Sequence, residues 1–213
     1  MNIKAILFDY DGVIVDSFPS VFEVYKKMCN KFNVECPQGI EKFRKLYGYN
    51  YGECLKNLGI KEQYLNQTNE IYKNEIVKKN HNIFNGIEKV IIDLSKKYKL
   101  FLVSASYKQE VLEKLSNYKL IEYFQEIYCG ADQKIKKSKI IKNIIKDNNF
   151  LKKEVISIGD RTIDYDIAKK VGLDNDNIII VSYGWGYNKE RIKIKNIAHS
   201  PDDILKIIND SIK

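Results

Sequence analysis

The sequence predicts an α/β fold, a parallel sheet flanked by helices with an all-helical segment inserted after the first strand. Three observations carry this. Short apolar runs alternate with amphipathic stretches, the pattern of strands joined by crossover helices. Between residues 17 and 84 the alternation stops and helical spacing takes over. The length, 213 residues, suits one large domain or a core with a small insert.

In chain order, Ile3–Phe8 reads as a buried strand ending on Asp9 and Asp11. The insert follows. Val21, Phe22, Val24, Tyr25 and Met28 keep helical spacing, Phe43, Leu46, Leu55 and Leu58 continue it, and Pro37, Gly48, Gly52 and Gly59 punctuate it. The sheet resumes near Gly86. Ile87, Val90, Ile91, Leu94 and Tyr98 predict a helix, then Leu100–Ser104 a strand. Val111, Leu112 and Leu115 mark a helix, Glu126–Cys129 a short strand, and Ile140, Ile141, Ile144 and Ile145 another helix. Val155–Ile158 and Ile178–Val181 complete five strands. The last helix starts with Ser200 as N-cap, Pro201 in the first turn and Asp203 three residues after the cap. The expected division is a core of 1–16 and 85–213 with a helical insert of 17–84.

Composition narrows the function classes. No apolar run approaches the ~18 residues of a membrane span. Asp9 and Asp11 interrupt the first apolar run and no small-residue cleavage site follows, which makes a poor signal peptide. A cytoplasmic protein with no membrane partner is expected. Cys29, Cys36, Cys54 and Cys129 form no C-x-x-C and there are two histidines, so the cysteines read as reduced thiols rather than zinc ligands. The formal charge of +8 comes from lysines scattered over helix faces. It favours anionic substrates, and with no aromatic–basic ladder no nucleic-acid partner is expected.

The strand ends hold the chemistry, because ligands of open parallel sheets bind beyond the carboxyl ends of the strands. Asp9 and Asp11 end the first strand, Ser104 the second, and Gly159-Asp160 with Asp164 the fourth. Lys134, Lys136, Lys137 and Lys139 precede the Ile140 helix. Carboxylates, a hydroxyl and a lysine at one sheet edge suit phosphoryl transfer through an aspartate. Asp9 would attack phosphorus, giving an aspartyl-phosphate. Asp11 would protonate the leaving oxygen and then activate water. The anionic ester and the carboxylates require a cation, and Mg²⁺ fits oxygen donors such as Asp160 and Asp164, whose i, i+4 spacing would place them on one helix face. Ser104 and the neighbouring backbone at Ala105 and Ser106 would hold a phosphate oxygen, with Gly12 beside them. A lysine would offset charge on the transferred group.

These residues resemble the haloacid dehalogenase superfamily, nearest its phosphoglycolate-phosphatase-like branch. FDYDGVIVDS is similar to the first motif, D-x-D-G-[TV]. VSAS is similar to the second, and GDRTIDYDIAKKVG to the fourth, with Ala168 and Gly172 in their usual places. The resemblance runs from Ile3 to about Gly186. It implies a Rossmann-like core with a helical cap, and Mg²⁺ held by Asp9, Asp160, Asp164 and the backbone carbonyl of Asp11. The third motif departs from K-P-x-P. A Ser/Thr-Lys helix start, common in related phosphatases, fits Ser138-Lys139. Lys139 is therefore the expected lysine and Lys134 the alternative.

A Mg²⁺-dependent phosphatase of a small phosphorylated metabolite follows, acting as a monomer or homodimer. A dehalogenase would lack Asp11. A phosphomutase shares the core residues but would need a cap gripping two phosphate positions, and no T-x-x-x-R-G stretch is present. A non-catalytic binding module would be expected to have lost Asp9 or a metal aspartate. The cap selects the leaving group in this family, which makes Arg44 and Tyr47 candidates for substrate contact. The tyrosine-rich stretch Leu46–Glu53 would otherwise pack the cap. Phosphoglycolate, sugar phosphates, nucleotides and polysaccharide-precursor phosphates all remain candidates.

Overall fold

The computed structural model describes residues 2–47, 50–133, 135–186 and 194–212. The chain divides into two compact units, Met1–Asp16 with Asn82–Lys213, and Ser17–His81. The larger begins with β1 (Ala5–Phe8) and β2 (Val15–Asp16). The helical unit holds α1 (Phe18–Phe32), α2 (Ile40–Leu46), α3 (Tyr51–Asn57) and α4 (Leu65–Ile76). The chain returns through β3 (Asn82–Ile83), α5 (Ile87–Ser95), β4 (Lys99–Ser104), α6 (Lys108–Asn117), β5 (Glu126–Cys129) and α7 (Gly130–Gln133). It closes with α8 (Lys137–Asp147), β6 (Val155–Gly159), α9 (Thr162–Val171), β7 (Ile178–Val181), β8 (Asn196–Ala198) and α10 (Pro201–Ile212).

Six strands form a parallel sheet in the order β5-β4-β1-β6-β7-β8. The burial of β1 is complete, and its side chains alternate between two apolar layers as a two-residue period requires. Ile6 and Phe8, with Leu100, Leu102, Ile156 and Ile158, pack on Val90 and Ile91 of α5, Val111 of α6 and Ile204 of α10. Ala5 and Leu7, with Phe101, Val103 and Val155, pack on Ile140 and Ile144 of α8 and Ala168 and Val171 of α9. Each fully buried Val, Leu, Ile or Phe among them contributes about 1.5–3 kcal/mol. Phe8 stands opposite Leu102 on one side and Ile158 on the other, which brings the carboxyl ends of β4, β1 and β6 level.

The five strands and the flanking helices fall where expected. β8 was not foreseen: three residues at the sheet edge after a lysine-rich stretch carry no periodic signal. The return to the core comes at Asn82 rather than residue 85, because Asn82–Ile83 pairs antiparallel with Val15–Asp16. The Ser200 start holds: Asp203 Oδ2 accepts the backbone N–H of Ser200 at 3.0 Å, closing the first turn of α10.

The helical unit is built around rings. Phe43 is fully buried. It stacks on Phe18 at 5.4 Å and Phe22 at 5.1 Å and meets Tyr25 at 5.1 Å and Tyr47 at 5.5 Å. Tyr51 packs on Tyr25 and Tyr72. Among the described residues, no helix is long and apolar enough to cross a membrane.

Candidate active site

Asp9 leaves β1 with its backbone N–H on Ile158 O at 2.9 Å, so its position is set by the neighbouring strand β6. Its Oδ1 accepts the N–H of Tyr10 at 2.8 Å, and its Oδ2 faces Lys137 Nζ at 2.9 Å. Lys137 Nζ also reaches Asp164 Oδ1 at 2.7 Å. The lysine is the first residue of α8, and its ammonium is thus aimed back at the strand ends.

Lys137, rather than the expected Lys139, is thus the lysine that meets Asp9 and Asp164. Lys139 lies two residues into α8, roughly 200° around the helix from Lys137, and is exposed. Lys134 lies outside the described residues. Sequence could have pointed to Lys137 through its place at the helix start, but four lysines in six residues gave no contrast.

Asp160 and Asp164 do not share a helix face, as their spacing suggested. Asp160 follows β6, Arg161 is extended, and α9 begins only at Thr162. Asp164 enters from the first turn, where its Oδ2 accepts the Arg161 N–H at 3.1 Å. The two carboxylates converge from a strand end and a helix start. Asp9, Asp160 and Asp164 each offer an oxygen within 4.8 Å of the others, the only such cluster among the described residues.

The loop after β7 completes the site. Asp160 Oδ2 accepts the N–H groups of Trp185 at 3.1 Å and Gly186 at 3.0 Å. The Arg161 guanidinium lies 5.6 Å from the Trp185 ring centre. A side chain on Gly184 would come within 2.3 Å of the Gly12 carbonyl and 2.6 Å of Asp160 Cβ. Gly12 has φ 75°, and a Cβ there would lie 2.1 Å from Asp160 Oδ2. This turn thus needs glycine twice over, for its conformation and for the approach to Asp160. The glycines of this stretch are visible in the sequence, but its two amide donors cannot be read from it.

The second motif differs from expectation in one respect. Ser104 is fully buried and its Oγ accepts the Ser106 N–H at 2.9 Å. Ser106 Oγ donates to Asp11 Oδ2 at 2.5 Å. Both polar groups of Ser106 are thus engaged within the protein, one on each of two site residues. In this structure the Ser106 amide, expected to face a phosphate oxygen, is turned to the Ser104 hydroxyl. Ala105 sits between them at the end of β4 and is exposed.

Arg44 and Tyr47 belong to the helical unit. The Arg44 guanidinium lies 4.8 Å from the Phe18 ring centre, with its Nε 3.5 Å from Glu41. Tyr47 packs edge-on against Phe18, Tyr25 and Phe43. Tyr49 lies outside the described residues.

Electrostatics separate the site from an ordinary ion-pair cluster. Burial pushes the Asp9 carboxyl up to about 7, with Asp164 and Asp11 adding to the rise and Lys137 opposing it. Burial, then Asp164 and Asp9, raises Asp160 well above the usual carboxylate range. Burial works to lower Lys137, but Asp164 and Asp9 outweigh it and hold the ammonium charged. One ammonium cannot offset three ionised carboxylates, so without a cation burial favours protons on Asp9 and Asp160. Asp160 Oδ1 is buried without a hydrogen-bond partner. An orphaned carboxylate oxygen beside two other converging carboxylates is what a hard divalent cation would satisfy, so these residues fit Mg²⁺.

Known proteins resemble this chain along nearly its whole length. The model of the family "Haloacid dehalogenase-like hydrolase" matches residues 6–176. The chain is 24% identical over 220 residues to a phosphorylated carbohydrates phosphatase of Thermotoga maritima, covering 97% of this chain and 99% of that one. It is 22% identical over 214 residues to a phosphoglycolate phosphatase of Synechococcus elongatus, covering 99% and 96%. A haloacid dehalogenase-like hydrolase from Streptococcus pneumoniae superposes with a TM-score of 0.85 at 20% identity, over 97% of this chain and 99% of that one.

Proposed function

The chain belongs to the haloacid dehalogenase-like hydrolases, and from that premise we propose that it is a Mg²⁺-dependent phosphatase that hydrolyses a small phosphomonoester through an aspartyl-phosphate. The observation that carries the reading is the meeting of Asp9, Asp160, Asp164 and Lys137 at one edge of the sheet.

Asp9, Asp160 and Asp164 would hold the cation, with the backbone carbonyl of Asp11. Bound there, Mg²⁺ would neutralise the phosphate and the carboxylates around it. The chain's own residues do the rest. Lys137 holds Asp9 and Asp164 in place and presents positive charge to the transferred group. The Ser104 hydroxyl, its oxygen already accepting from Ser106, donates its proton to a phosphate oxygen. The Asp9 carboxylate attacks phosphorus while the ester P–O bond breaks, and Asp11 gives its proton to the leaving oxygen. Asp11 then takes a proton from water, which attacks phosphorus and releases Asp9.

The named relatives support a phosphorylated carbohydrate or phosphoglycolate as the substrate class. Arg44, half-exposed in the helical unit, is the residue we assign to the leaving group; Tyr47 packs on the Phe18 ring against which the guanidinium lies. Four free cysteines accord with a reducing compartment, the cytoplasm. The test is release of inorganic phosphate from p-nitrophenyl phosphate and from a panel of metabolite phosphates, with and without Mg²⁺. Release that needs Mg²⁺ and is abolished in Asp9→Asn supports the reading. Undiminished release by Asp9→Asn contradicts it, and an isomeric phosphate formed without phosphate release identifies a mutase instead.

A further inference from the structure

The turn that carries Asp11 is held from two sides. Residues 10–15 close on themselves: Tyr10 O accepts the backbone N–H of Val13, Ile14 and Val15 at 3.4, 2.9 and 3.2 Å, and Gly12 N–H returns to Val15 O at 2.9 Å. Ser106 holds the side-chain end, its Oγ donating to Asp11 Oδ2. The loop after β7 holds the backbone end. Tyr183 Oη donates to Val13 O at 3.1 Å, two residues beyond Asp11. The Tyr183 ring packs edge-on against Phe84, centres 4.8 Å apart, and the Phe84 N–H bonds Ile14 O at 3.0 Å. Val13 is fully buried, so solvent does not replace the Tyr183 hydroxyl at its carbonyl unless the turn moves.

We propose, on the phosphatase reading, that Tyr183 is a positioning residue for Asp11: by fixing the Val13 carbonyl it keeps the Asp11 carboxyl aimed at the leaving oxygen. Tyr183 acts through the turn and not on the reacting atoms. Its place in the chain suits the task. It stands two residues past the end of β7 and just before Gly184, where a side chain would strike the Gly12 carbonyl. The same short loop donates the Trp185 and Gly186 amides to Asp160 Oδ2. One loop thus fixes a cation carboxylate through its amides and the turn of the acid through one hydroxyl.

The consequence follows from what Asp11 does. As Asp9 bonds to phosphorus and the ester P–O bond breaks, the Asp11 proton passes to the departing oxygen. That proton matters in proportion to the basicity of the oxygen. A p-nitrophenolate leaves with little help, whereas a phenolate needs the proton. A misplaced acid therefore slows esters increasingly as the leaving group worsens. A general weakening of the fold slows all of them alike.

The test compares the full chain with Tyr183→Phe, which keeps the ring against Phe84 and removes one oxygen. With saturating Mg²⁺, kcat/KM is measured on p-nitrophenyl, p-chlorophenyl and phenyl phosphate; it covers the steps up to phosphorylation of Asp9. Tyr183→Phe should stay within about twofold of the parent on the p-nitrophenyl ester and fall about 5–10-fold on the phenyl ester, the effect of one lost hydrogen bond. An equal loss on all three esters, or no loss on any, would overturn the proposal. Hydrogen exchange of the chain without substrate or metal is followed by NMR alongside. The amides of Val13, Ile14 and Val15 should exchange about 2–10-fold faster in Tyr183→Phe, with Ile179 and Ile180 of β7 unchanged. Unchanged exchange in the turn would also overturn it. If the parent chain hydrolyses none of the esters, the phosphatase reading fails, and the exchange alone decides whether Tyr183 holds the turn.

Discussion

At the scale of single residues, the account turns on which side chains touch Asp9, Asp11 and Asp160. Lys137 bridges Asp9 and Asp164 and Lys139 is exposed. Lys137→Ala should therefore lower kcat by about 10²–10³-fold, the effect of losing one charge-stabilising donor. Lys139→Ala should leave kcat within about twofold. Steady-state kinetics on one ester check both, and equal losses would remove Lys137 from its place. Ser106 Oγ holds Asp11 Oδ2. Ser106→Ala gives up a hydrogen bond to a charged group, about 1.5–3 kcal/mol, and kcat should fall about 10–100-fold. KM should change little, because Ser106 acts through Asp11, and Ser106→Thr should restore most of the rate. Asp9, Asp11, Ser104 and Asp160 were legible because each ends a strand whose apolar run announces it. The choice of Lys137 among its neighbours and the bond from Ser106 to Asp11 were not. A lysine among lysines carries no pattern, and a hydroxyl's partner is fixed by a side-chain direction that spacing does not specify.

At the scale of elements, the parallel strands were readable because both faces are covered. Their apolar runs are continuous, as in Ala5–Phe8 and Ile178–Val181. The three-residue β8 and the β2–β3 pair were too short to produce a period. The loop after β7 shows the same limit, since its work is done by backbone. Trp185 and Gly186 donate amides to Asp160 Oδ2, and Gly184 lies so close to Gly12 and Asp160 that a Cβ finds no room. Gly184→Ala should displace this loop and loosen Asp160. The Mg²⁺ concentration for half-maximal activity should rise about tenfold, equivalent to ~1.4 kcal/mol. A Mg²⁺ titration of activity, with the melting temperature as a control for folding, checks it; an unchanged requirement would mean the loop plays no part in holding Asp160.

At the scale of the whole molecule, the site's charge sets how stability depends on pH. Asp9 sits near 7 and Asp160 well above its ordinary range, both raised first by burial. The native state then binds more protons than the unfolded chain wherever these carboxyls would ordinarily be ionised. Stability of the metal-free protein falls as pH rises from the unfolded value through the folded one, for Asp9 from about 4 to about 7. Lys137 is held up and stays charged across that window. The metal-free melting temperature should thus drop between about pH 5 and pH 8, and Mg²⁺ should raise it more at the higher pH, where no proton must be displaced. Calorimetry at both values checks this, and an equal Mg²⁺ shift at both would contradict it. The division into a sheet unit and a helical unit was visible as a change of hydrophobic period. The use of the helical unit was not, since its aromatic residues pack on one another and the same rings would serve a core or a ligand.

The central claim is that Asp9 forms the covalent intermediate. The most direct measurement is acid quench during steady-state turnover of a phosphate ester with Mg²⁺, followed by borohydride reduction and peptide mass spectrometry. An acyl-phosphate at Asp9 is reduced to homoserine, so the account predicts homoserine at position 9, dependent on substrate and absent from Asp9→Asn. Reduction at another carboxylate, or none while phosphate is being released, would contradict it.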